Sequence, residues 1–217
     1  MISEKIIKTE KTARFYHLGN PSNKIKNVWF VLHGYGQLAK EFILNFSVLM
    51  NDETLIIAPE AMNKFYLRGF SGKVGANWMT KEDRANEIKD YLGLLTNVYN
   101  EISIVLDLEN VKINVLGFSQ GTHTTVRWLN NTKIKIDNLL LWSGAFPHDC
   151  NYIQNTEYWS NVKTKIVLGN EDRLISEEFL KTEIDYLKSQ KIKIDLIKYP
   201  GGHKIEVDQL SKIIKGY

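Results

Sequence analysis

Short apolar runs that alternate with helical patterns are the feature that most constrains the fold of this 217-residue chain. Runs of this length, bounded by Gly, Pro, Asn or Asp, are typical of strands that are buried on both faces of a sheet. Because helical spacing of apolar residues separates the runs, the sequence predicts strand–helix–strand units and an α/β fold with a mostly parallel sheet. The runs cover residues 28–32, 55–58, 113–116, 139–142 and 166–168.

Weaker patterns predict the remaining elements. Residues 192–197 alternate apolar and polar side chains, as expected of a strand near the sheet edge, and residues 6–18 are expected to contain one or two further strands. After Thr80, a candidate N-cap, apolar residues spaced by three and four predict a long helix through residue 106, with Gly93 as a candidate kink. The other predicted helices cover residues 38–49, 120–129, 176–187 and 205–214.

Composition narrows the class of protein. Hydrophobic residues make up 43% and charged residues 24%, which is ordinary globular usage, and no repeat or linker divides the chain. We therefore expect one domain over residues 1–217. The only cysteine, Cys150, excludes an intrachain disulfide and argues against a cysteine zinc site.

Charge and hydropathy argue against a nucleic-acid partner and against insertion into a membrane. The net charge is +3, and no basic run is interleaved with stacking aromatic residues, so we expect no nucleic-acid partner. The N-terminal residues lack the apolar region of a signal peptide, and no apolar stretch is long enough to span a membrane. We therefore expect a cytoplasmic protein with no stable membrane insertion.

A glycine-rich pentapeptide lies where a parallel sheet binds its ligands, beyond the carboxyl end of a strand. The run at 113–116 ends in Gly117-Phe118-Ser119-Gln120-Gly121. This G-x-S-x-G pattern is typical of a nucleophile elbow, a sharp strand-to-helix turn that lifts a serine hydroxyl above the sheet. It predicts Ser119 as a nucleophile, and an ordinary glycine-rich turn is the alternative.

A nucleophilic serine needs a base and an acid, which in this arrangement follow it along the chain in the order serine, acid, histidine. His203, in a glycine-rich loop after the last predicted strand, is the favoured base, and His148 is the alternative. Asp172, just after the run at 166–168, is the favoured acid, and its neighbour Glu171 is the alternative.

An oxyanion hole requires backbone N–H groups aimed at the carbonyl that is attacked. The N–H of Gln120, directly after the serine, is one predicted donor. The other is predicted to be that of Tyr35, in the glycine-containing loop that follows the run at 28–32. His33 in this loop is expected to form hydrogen bonds within it. His123 is expected to pack against the sheet or a neighbouring helix.

With these residues the sequence resembles the α/β-hydrolase superfamily, and within it the small phospholipase/carboxylesterase branch that includes acyl-protein thioesterases. The resemblance implies a twisted, mostly parallel sheet with helices on both faces, a catalytic triad of Ser119, His203 and Asp172, and an oxyanion hole formed by Tyr35 and Gln120. The segments that carry it are 32–36, 58–60, 117–121, 141–144, 169–172 and 202–203.

The resemblance implies a serine hydrolase of carboxylic esters that works through an acyl-enzyme, with a small-molecule substrate and no cofactor or metal. A thioesterase or lysophospholipase on the same triad is one alternative, and a non-catalytic binding protein is the alternative from another class. Only about twenty residues separate Trp142 from Thr164, where such hydrolases often insert a lid, so we expect little or no lid.

Departures from the family pattern affect the substrate pockets rather than the triad. Gln37 stands where the family often carries an acid, and Thr122 stands where it often carries a second glycine. The glycine-rich segment 69–77 lacks P-loop spacing and is predicted to be a mobile loop. Acyl preference and oligomeric state do not follow from the sequence.

Overall fold

A computed structural model of the chain describes residues 1–215, and within them the apolar runs form extended strands. The strands are β1 (Phe15–Leu18), β2 (Asn27–Leu32), β3 (Thr54–Pro59), β4 (Asn63–Tyr66), β5 (Val74–Asn77), β6 (Lys112–Phe118), β7 (Asn138–Trp142), β8 (Lys163–Gly169) and β9 (Asp195–Tyr199). The helices are α1 (Ala39–Phe42), α2 (Arg84–Val105), α3 (Gln120–Thr132), α4 (Thr156–Asn161), α5 (Glu177–Ser189) and α6 (Val207–Ile214). Two 3-10 helices cover Ile43–Leu49 and Ile153–Asn155.

Seven of these strands form one sheet in the order β1-β3-β2-β6-β7-β8-β9. The edge strand β1 is antiparallel to β3, and the other neighbouring pairs are parallel. The central strands β2, β6 and β7 are buried along almost their whole length, which explains their continuous apolar sequences. The predicted α/β fold with a mostly parallel sheet is confirmed.

Helices cover both faces of the sheet. One apolar cluster joins the sheet to α2, α3 and α5 through residues such as Leu95, Trp128 and Leu187. The second lies on the opposite face and joins it to α1, the first 3-10 helix and α6 through Phe42, Phe46 and Leu210, among others. We call these the α3 face and the α6 face. Strand side chains point alternately to the two faces, so both clusters draw on the same strands.

Several predicted elements have different ends in the structure. The last strand begins at Asp195 rather than residue 192, because Ile192 leaves the sheet and packs into the core of the α3 face. Residues 6–13 form no strand, and only Phe15–Leu18 pairs with the sheet. Thr80 is not the N-cap of α2, which starts at Arg84 and runs through Gly93 without interruption.

A small hairpin was missed by the sequence pattern. β4 and β5 pair antiparallel, with Asn63 opposite Asn77, and form a separate two-stranded sheet. The hairpin contacts the loop after β2, because the N–H of Gly36 donates to the carbonyl of Ala76 over 2.8 Å. Four of the nine residues of the predicted mobile loop 69–77 therefore belong to a strand, β5. Each strand of the hairpin has only four residues and little apolar periodicity.

Residues 143–162 connect β7 to β8. Residues 143–162, where a lid was considered, contain the second 3-10 helix and α4. Trp159 of α4 packs into the core of the α3 face. Among residues 1–215, no helix has the length and the apolar character needed to cross a membrane.

Candidate active site

Ser119 occupies the sharp turn between β6 and α3. Its backbone has a φ of 52° and a ψ of −119°, outside the regions that most residues adopt, and its N–H donates to the carbonyl of Trp142 over 2.9 Å. The turn needs glycine on both sides: a Cβ at Gly117 would lie 2.5 Å from the carbonyl oxygen of Gly121, and one at Gly121 would lie 2.4 Å from that of Leu32. The local sequence thus permits a strained turn that displays the serine hydroxyl.

His203 reaches the serine from the loop that follows β9. This loop is joined to the loop after β8, since the N–H of Glu171 donates to the carbonyl of Gly201 over 2.8 Å. Tyr199, at the end of β9, also holds it, because its hydroxyl donates to the carbonyl of Lys204 over 2.9 Å. The ring of His203 lies 5.2 Å from that of Phe118, a residue of the α6 face. The imidazole is therefore positioned by two strand ends.

The structure brings Ser119, His203 and Asp172 into one hydrogen-bonded line. Nε2 of His203 lies 2.8 Å from Oγ of Ser119, and Nδ1 lies 2.8 Å from Oδ2 of Asp172. Asp172 is buried, and its second oxygen accepts a 3.0 Å hydrogen bond from the N–H of Leu174. The alternative acid, Glu171, is exposed. This arrangement can move a proton from the serine to the imidazole while the carboxylate orients the ring.

The alternative base, His148, lies elsewhere. Its Nε2 is 2.8 Å from Oε2 of Glu183, a residue of α5. Asp137, an acid that lies between Ser119 and His148 in the sequence, accepts a hydrogen bond from the N–H of Ile113 over 2.8 Å. The structure therefore does not bring His148 together with Ser119 and an acid in a triad.

The two other histidines near the turn differ from each other. His33 is fully buried: Nδ1 donates to the carbonyl of Gly34 over 2.8 Å, and Nε2 accepts from the N–H of Ala61 over 3.1 Å. Burial lowers the pKa of His33 to about 4, so the ring is neutral at pH 7. Its expected hydrogen bond within the loop is confirmed. His123, which was expected to pack against the sheet or a neighbouring helix, has an exposed side chain on α3, and the protein around it still desolvates the ring.

The two backbone amides predicted for the oxyanion hole follow the ends of two neighbouring strands, β6 and β2. Gln120 is the first residue of α3, and Tyr35 follows β2, the neighbour of β6 in the sheet. In the described part of the chain, neither of these two N–H groups has a hydrogen-bond acceptor. The N–H groups on either side of Tyr35 do have one: Gly34 donates to the Gln37 side chain, and Gly36 donates to the Ala76 carbonyl. Free amides beside a nucleophile, one of them at a helix N-terminus, can stabilise a developing oxyanion.

Two side chains support this turn in ways that sequence reasoning missed. The Gln120 side-chain amide joins the turn to the segment after β5: it accepts from the N–H of Trp78 over 3.1 Å and donates to the carbonyl of Met79 over 2.8 Å. Thr122 donates to the carbonyl of Ser119 over 2.7 Å. A glutamine after the serine gives no sequence signal of this bridge, because its partners lie about forty residues away.

Residues 1–215 contain no group of three or more His, Cys, Asp or Glu side chains that could hold a metal ion. Cys150 is half-buried, and burial raises the pKa of its thiol, so the thiolate is disfavoured at neutral pH. Ser119 thus remains the predicted nucleophile of this site.

A sequence model of the phospholipase/carboxylesterase family matches residues 16–216. No curated protein matches the sequence of the chain.

Solved structures share the fold at low sequence identity. The chain is similar to acyl-protein thioesterase 2 from Zea mays, with a TM-score of 0.69, 17% identity, and coverage of 94% of this chain and 97% of that one. It is similar to a carboxylesterase from Mesorhizobium loti, with a TM-score of 0.69, 14% identity, and coverage of 94% and 95%. A phospholipase/carboxylesterase from Dyadobacter fermentans has a TM-score of 0.64, 19% identity, and coverage of 96% and 97%.

Proposed function

Because the chain belongs to the phospholipase/carboxylesterase family of hydrolases, we propose that it is a serine hydrolase of carboxylic esters. The observation that carries the proposal is the position of His203, whose two ring nitrogens lie 2.8 Å from the Ser119 hydroxyl and 2.8 Å from the Asp172 carboxylate. Such a line of hydrogen bonds supports nucleophilic attack by a hydroxyl that is a weak nucleophile by itself.

In the first half of the reaction, Nε2 of His203 takes the proton of Ser119 as Oγ attacks the ester carbonyl. The negative charge on the carbonyl oxygen is stabilised by the N–H groups of Tyr35 and Gln120. Asp172 stabilises the imidazolium and does not itself take the proton. When the tetrahedral intermediate collapses, the imidazolium protonates the leaving alcohol, and an acyl-enzyme on Ser119 remains.

In the second half, water replaces the alcohol. His203 removes a proton from the water as it attacks the acyl-enzyme, and then returns that proton to Oγ of Ser119 when the acid is released. No step needs a metal or an organic cofactor. The same attack applies to a thioester carbonyl, and the similarity to an acyl-protein thioesterase makes a thioester a second substrate to test.

Labelling with a fluorophosphonate and turnover of short-chain chromogenic esters test the proposal. The wild-type protein should label and turn over, and Ser119→Ala should abolish both signals. Ser143→Ala is a matched control, because Ser143 also follows a strand and has a φ of 51°, but is only 2% exposed. Labelling that persists in Ser119→Ala, or a wild-type protein that neither labels nor hydrolyses any acyl ester, would contradict the proposal.

A further inference from the structure

A group of charged and polar side chains lies one helical turn beyond Ser119 and is not used by the mechanism above. We call it the His123 cluster; its members are Arg84, His123, Arg127, His148 and Asp149. The two arginines, His148 and Asp149 all lie close enough to His123 to affect its charge. Arg84 comes from α2, His123 and Arg127 from α3, and the other two from the loop after β7. Three separate elements therefore contribute to the cluster.

His123 presents unused hydrogen-bonding groups in this cluster. It lies three residues after Gln120 and four before Arg127, so the three side chains share one face of α3. The side chain is exposed, and neither ring nitrogen has a partner among residues 1–215. The surrounding protein desolvates the ring, and the charge of Arg127 adds to this, so the pKa of His123 is lowered to about 4. The neutral ring at pH 7 offers one donor and one acceptor.

The arginines of the cluster leave a positive charge unbalanced. Nη2 of Arg84 lies 2.6 Å from one oxygen of Asp149, and Nε of Arg127 lies 2.9 Å from the other. Two guanidinium groups thus share one carboxylate. Arg127 is nearly buried, but the Arg84 side chain is 39% exposed. Nη1 of Arg84 contacts the Met79 sulfur at 3.0 Å, and its remaining N–H groups have no acceptor in the described part of the chain.

The nearby acid Glu183 does not cancel that charge at the surface. Its side chain is 2% exposed, and its two oxygens accept hydrogen bonds from the N–H of Phe146 and from Nε2 of His148 over 2.9 and 2.8 Å. The ring of His148 stacks on Tyr186 with centroids 3.9 Å apart. Glu183 therefore lies beneath His148. The solvent side of the cluster is formed by His123, Arg84, the exposed edge of His148 and the Asp149 side chain, which is 41% exposed and has one arginine on each of its two oxygens.

The position of the cluster relative to His203 identifies the part of the substrate that it contacts. His203 packs against Phe118, which belongs to the α6 face. The cluster rises from α2 and α3, on the α3 face, and so lies across Ser119 from the imidazole. In the proposed reaction the leaving alcohol is next to the imidazole that protonates it. The acyl group then extends the other way, over α3.

We propose that the preferred substrate is an ester whose acyl chain ends in a carboxylate, which Arg84 and His123 bind. This inference rests on the proposed function. Four residues of helix rise by about 6 Å, so His123 lies within reach of the far end of a short dicarboxylic acyl group whose carbonyl is at Ser119. The N–H groups of Arg84 that Asp149 and Met79 leave free can donate to a carboxylate, and the neutral His123 ring adds one N–H donor. A plain alkyl chain would instead meet charged groups and displace their water without compensation.

A matched pair of ethyl esters tests the inference. Monoethyl glutarate and ethyl pentanoate have the same acyl length and differ in having a carboxylate or a methyl group at the end. Acid release gives kcat/KM for each. We expect the wild-type protein to favour the glutarate ester by about tenfold, the size of one charge-assisted hydrogen bond. A preference for the pentanoate ester, or equal values, would overturn the inference and leave the proposed function standing.

Two variants assign the preference to the cluster. Arg84→Gln should remove the advantage of the glutarate ester, so that the ratio of the two kcat/KM values falls about tenfold, to near one. His123→Ala, which removes no hydrogen bond within residues 1–215, should lower the value for the glutarate ester alone, and so serves if Arg84→Gln does not fold. If kcat/KM fell equally for both esters in both variants, the cluster would have a structural role only and would not bind the substrate carboxylate.

Lys89→Gln is the matched control for charge. Lys89 is a cation of the same helix, but it lines a different groove, of about 380 Å³, between the N-terminal segment and α2. Lys89→Gln should keep the wild-type ratio of kcat/KM for the glutarate ester to that for ethyl pentanoate. If this ratio fell as much as in Arg84→Gln, the preference would come from long-range charge rather than from a binding site.

Binding without turnover separates this inference from the proposed function. Glutarate should bind Ser119→Ala, measured by titration calorimetry, and should bind at least tenfold more weakly when Arg84→Gln is added. If no ester is hydrolysed but this difference is found, the proposed function fails and the carboxylate site remains. If glutarate does not bind, or binds both proteins equally, the carboxylate site is overturned.

Discussion

Oδ2 of Asp172 lies 2.8 Å from Nδ1 of His203, on the side of the ring opposite Ser119. The carboxylate is itself fixed, because its other oxygen accepts from the N–H of Leu174 over 3.0 Å and the side chain is 1% exposed. Nδ1 must therefore carry a proton and Nε2 must be free to accept one, which is the tautomer that a general base requires.

Asp172→Asn should lower kcat by about 10⁴-fold with little change in the fold, because an amide donor at this position favours the wrong tautomer of His203. Ester hydrolysis at pH 7.5 measures the loss, and circular dichroism checks the fold. Glu171→Gln is the control: this neighbour is exposed and makes no side-chain contact with His203, so its activity should match wild type. A larger loss in Glu171→Gln than in Asp172→Asn would exchange the roles of the two acids.

Gly121→Ala should destabilise the protein by about 2–3 kcal/mol, because the new Cβ would lie 2.4 Å from the carbonyl oxygen of Leu32, a backbone atom of a central strand that cannot move away. Urea unfolding gives the free energy. Activity should fall as well, since the substitution is two residues from Ser119.

Gly93→Ala provides the comparison. Nothing lies within 4 Å of a Cβ at this position in the middle of α2, so alanine should stabilise the helix by about 0.5–1 kcal/mol. If both alanine variants were equally stable, the close approach of α3 to β2 would not be what requires glycine in the serine turn.

His33 should make stability depend on pH. Its pKa is lowered to about 4 by burial, against about 6.5 in an unfolded chain, so the unfolded state binds the proton more readily. The stabilisation of the folded state that comes from this difference in pKa is complete above pH 6.5 and is lost as the pH falls toward 4. It amounts to on the order of 3 kcal/mol, of which about 2 kcal/mol is lost by pH 5.

Urea unfolding at pH 7.5 and pH 5 of wild type and His33→Gln measures this effect. The variant is expected to be less stable at pH 7.5, but its stability should fall less between the two pH values. His17→Gln, at an exposed histidine, should keep the wild-type pH dependence. Equal pH dependence in His33→Gln and wild type would show that His33 is not held neutral in the folded protein.

The sequence predicted the strands of the central sheet best where burial is complete. Residues 28–32, 55–58 and 139–142 are apolar because both of their faces are covered, so their pattern has one interpretation. The β4–β5 hairpin has no such constraint: it pairs only with itself and through contacts such as that of Gly36 with Ala76. Its four-residue strands resemble a loop in sequence.

In the candidate site, too, some residues could be predicted from the sequence and others could not. Ser119, Asp172 and His203 each follow a strand, and parallel strands end at one edge, so chain order alone predicted that they would be neighbours. Their catalytic roles remain predictions until tested. The surroundings of His123 could not be predicted, because Arg84 and Asp149 come from distant segments whose approach depends on tertiary packing.

The backbone N–H of Gln120 and its side-chain amide have different roles, which substitutions can separate. Its amide bridges the N–H of Trp78 and the carbonyl of Met79, and so ties the first turn of α3 to the segment after β5. Gln120→Ala keeps the backbone N–H proposed for the oxyanion hole but leaves both groups without their partner. We expect kcat/KM to fall by about tenfold, since a positioning hydrogen bond contributes about 1 kcal/mol and the turn around Ser119 loosens.

Fluorophosphonate labelling rates and kcat/KM for a short ester measure this effect, with Gln154→Ala as the control. Gln154 is exposed in the second 3-10 helix, and its side chain makes no hydrogen bond within residues 1–215, so its loss should change neither value. Gln120→Glu discriminates further, because a carboxylate can still accept from Trp78 but cannot donate to the carbonyl of Met79. If the donated bond positions the turn, Gln120→Glu should be as slow as Gln120→Ala, whereas wild-type rates in both variants would show that the side chain does not position Ser119.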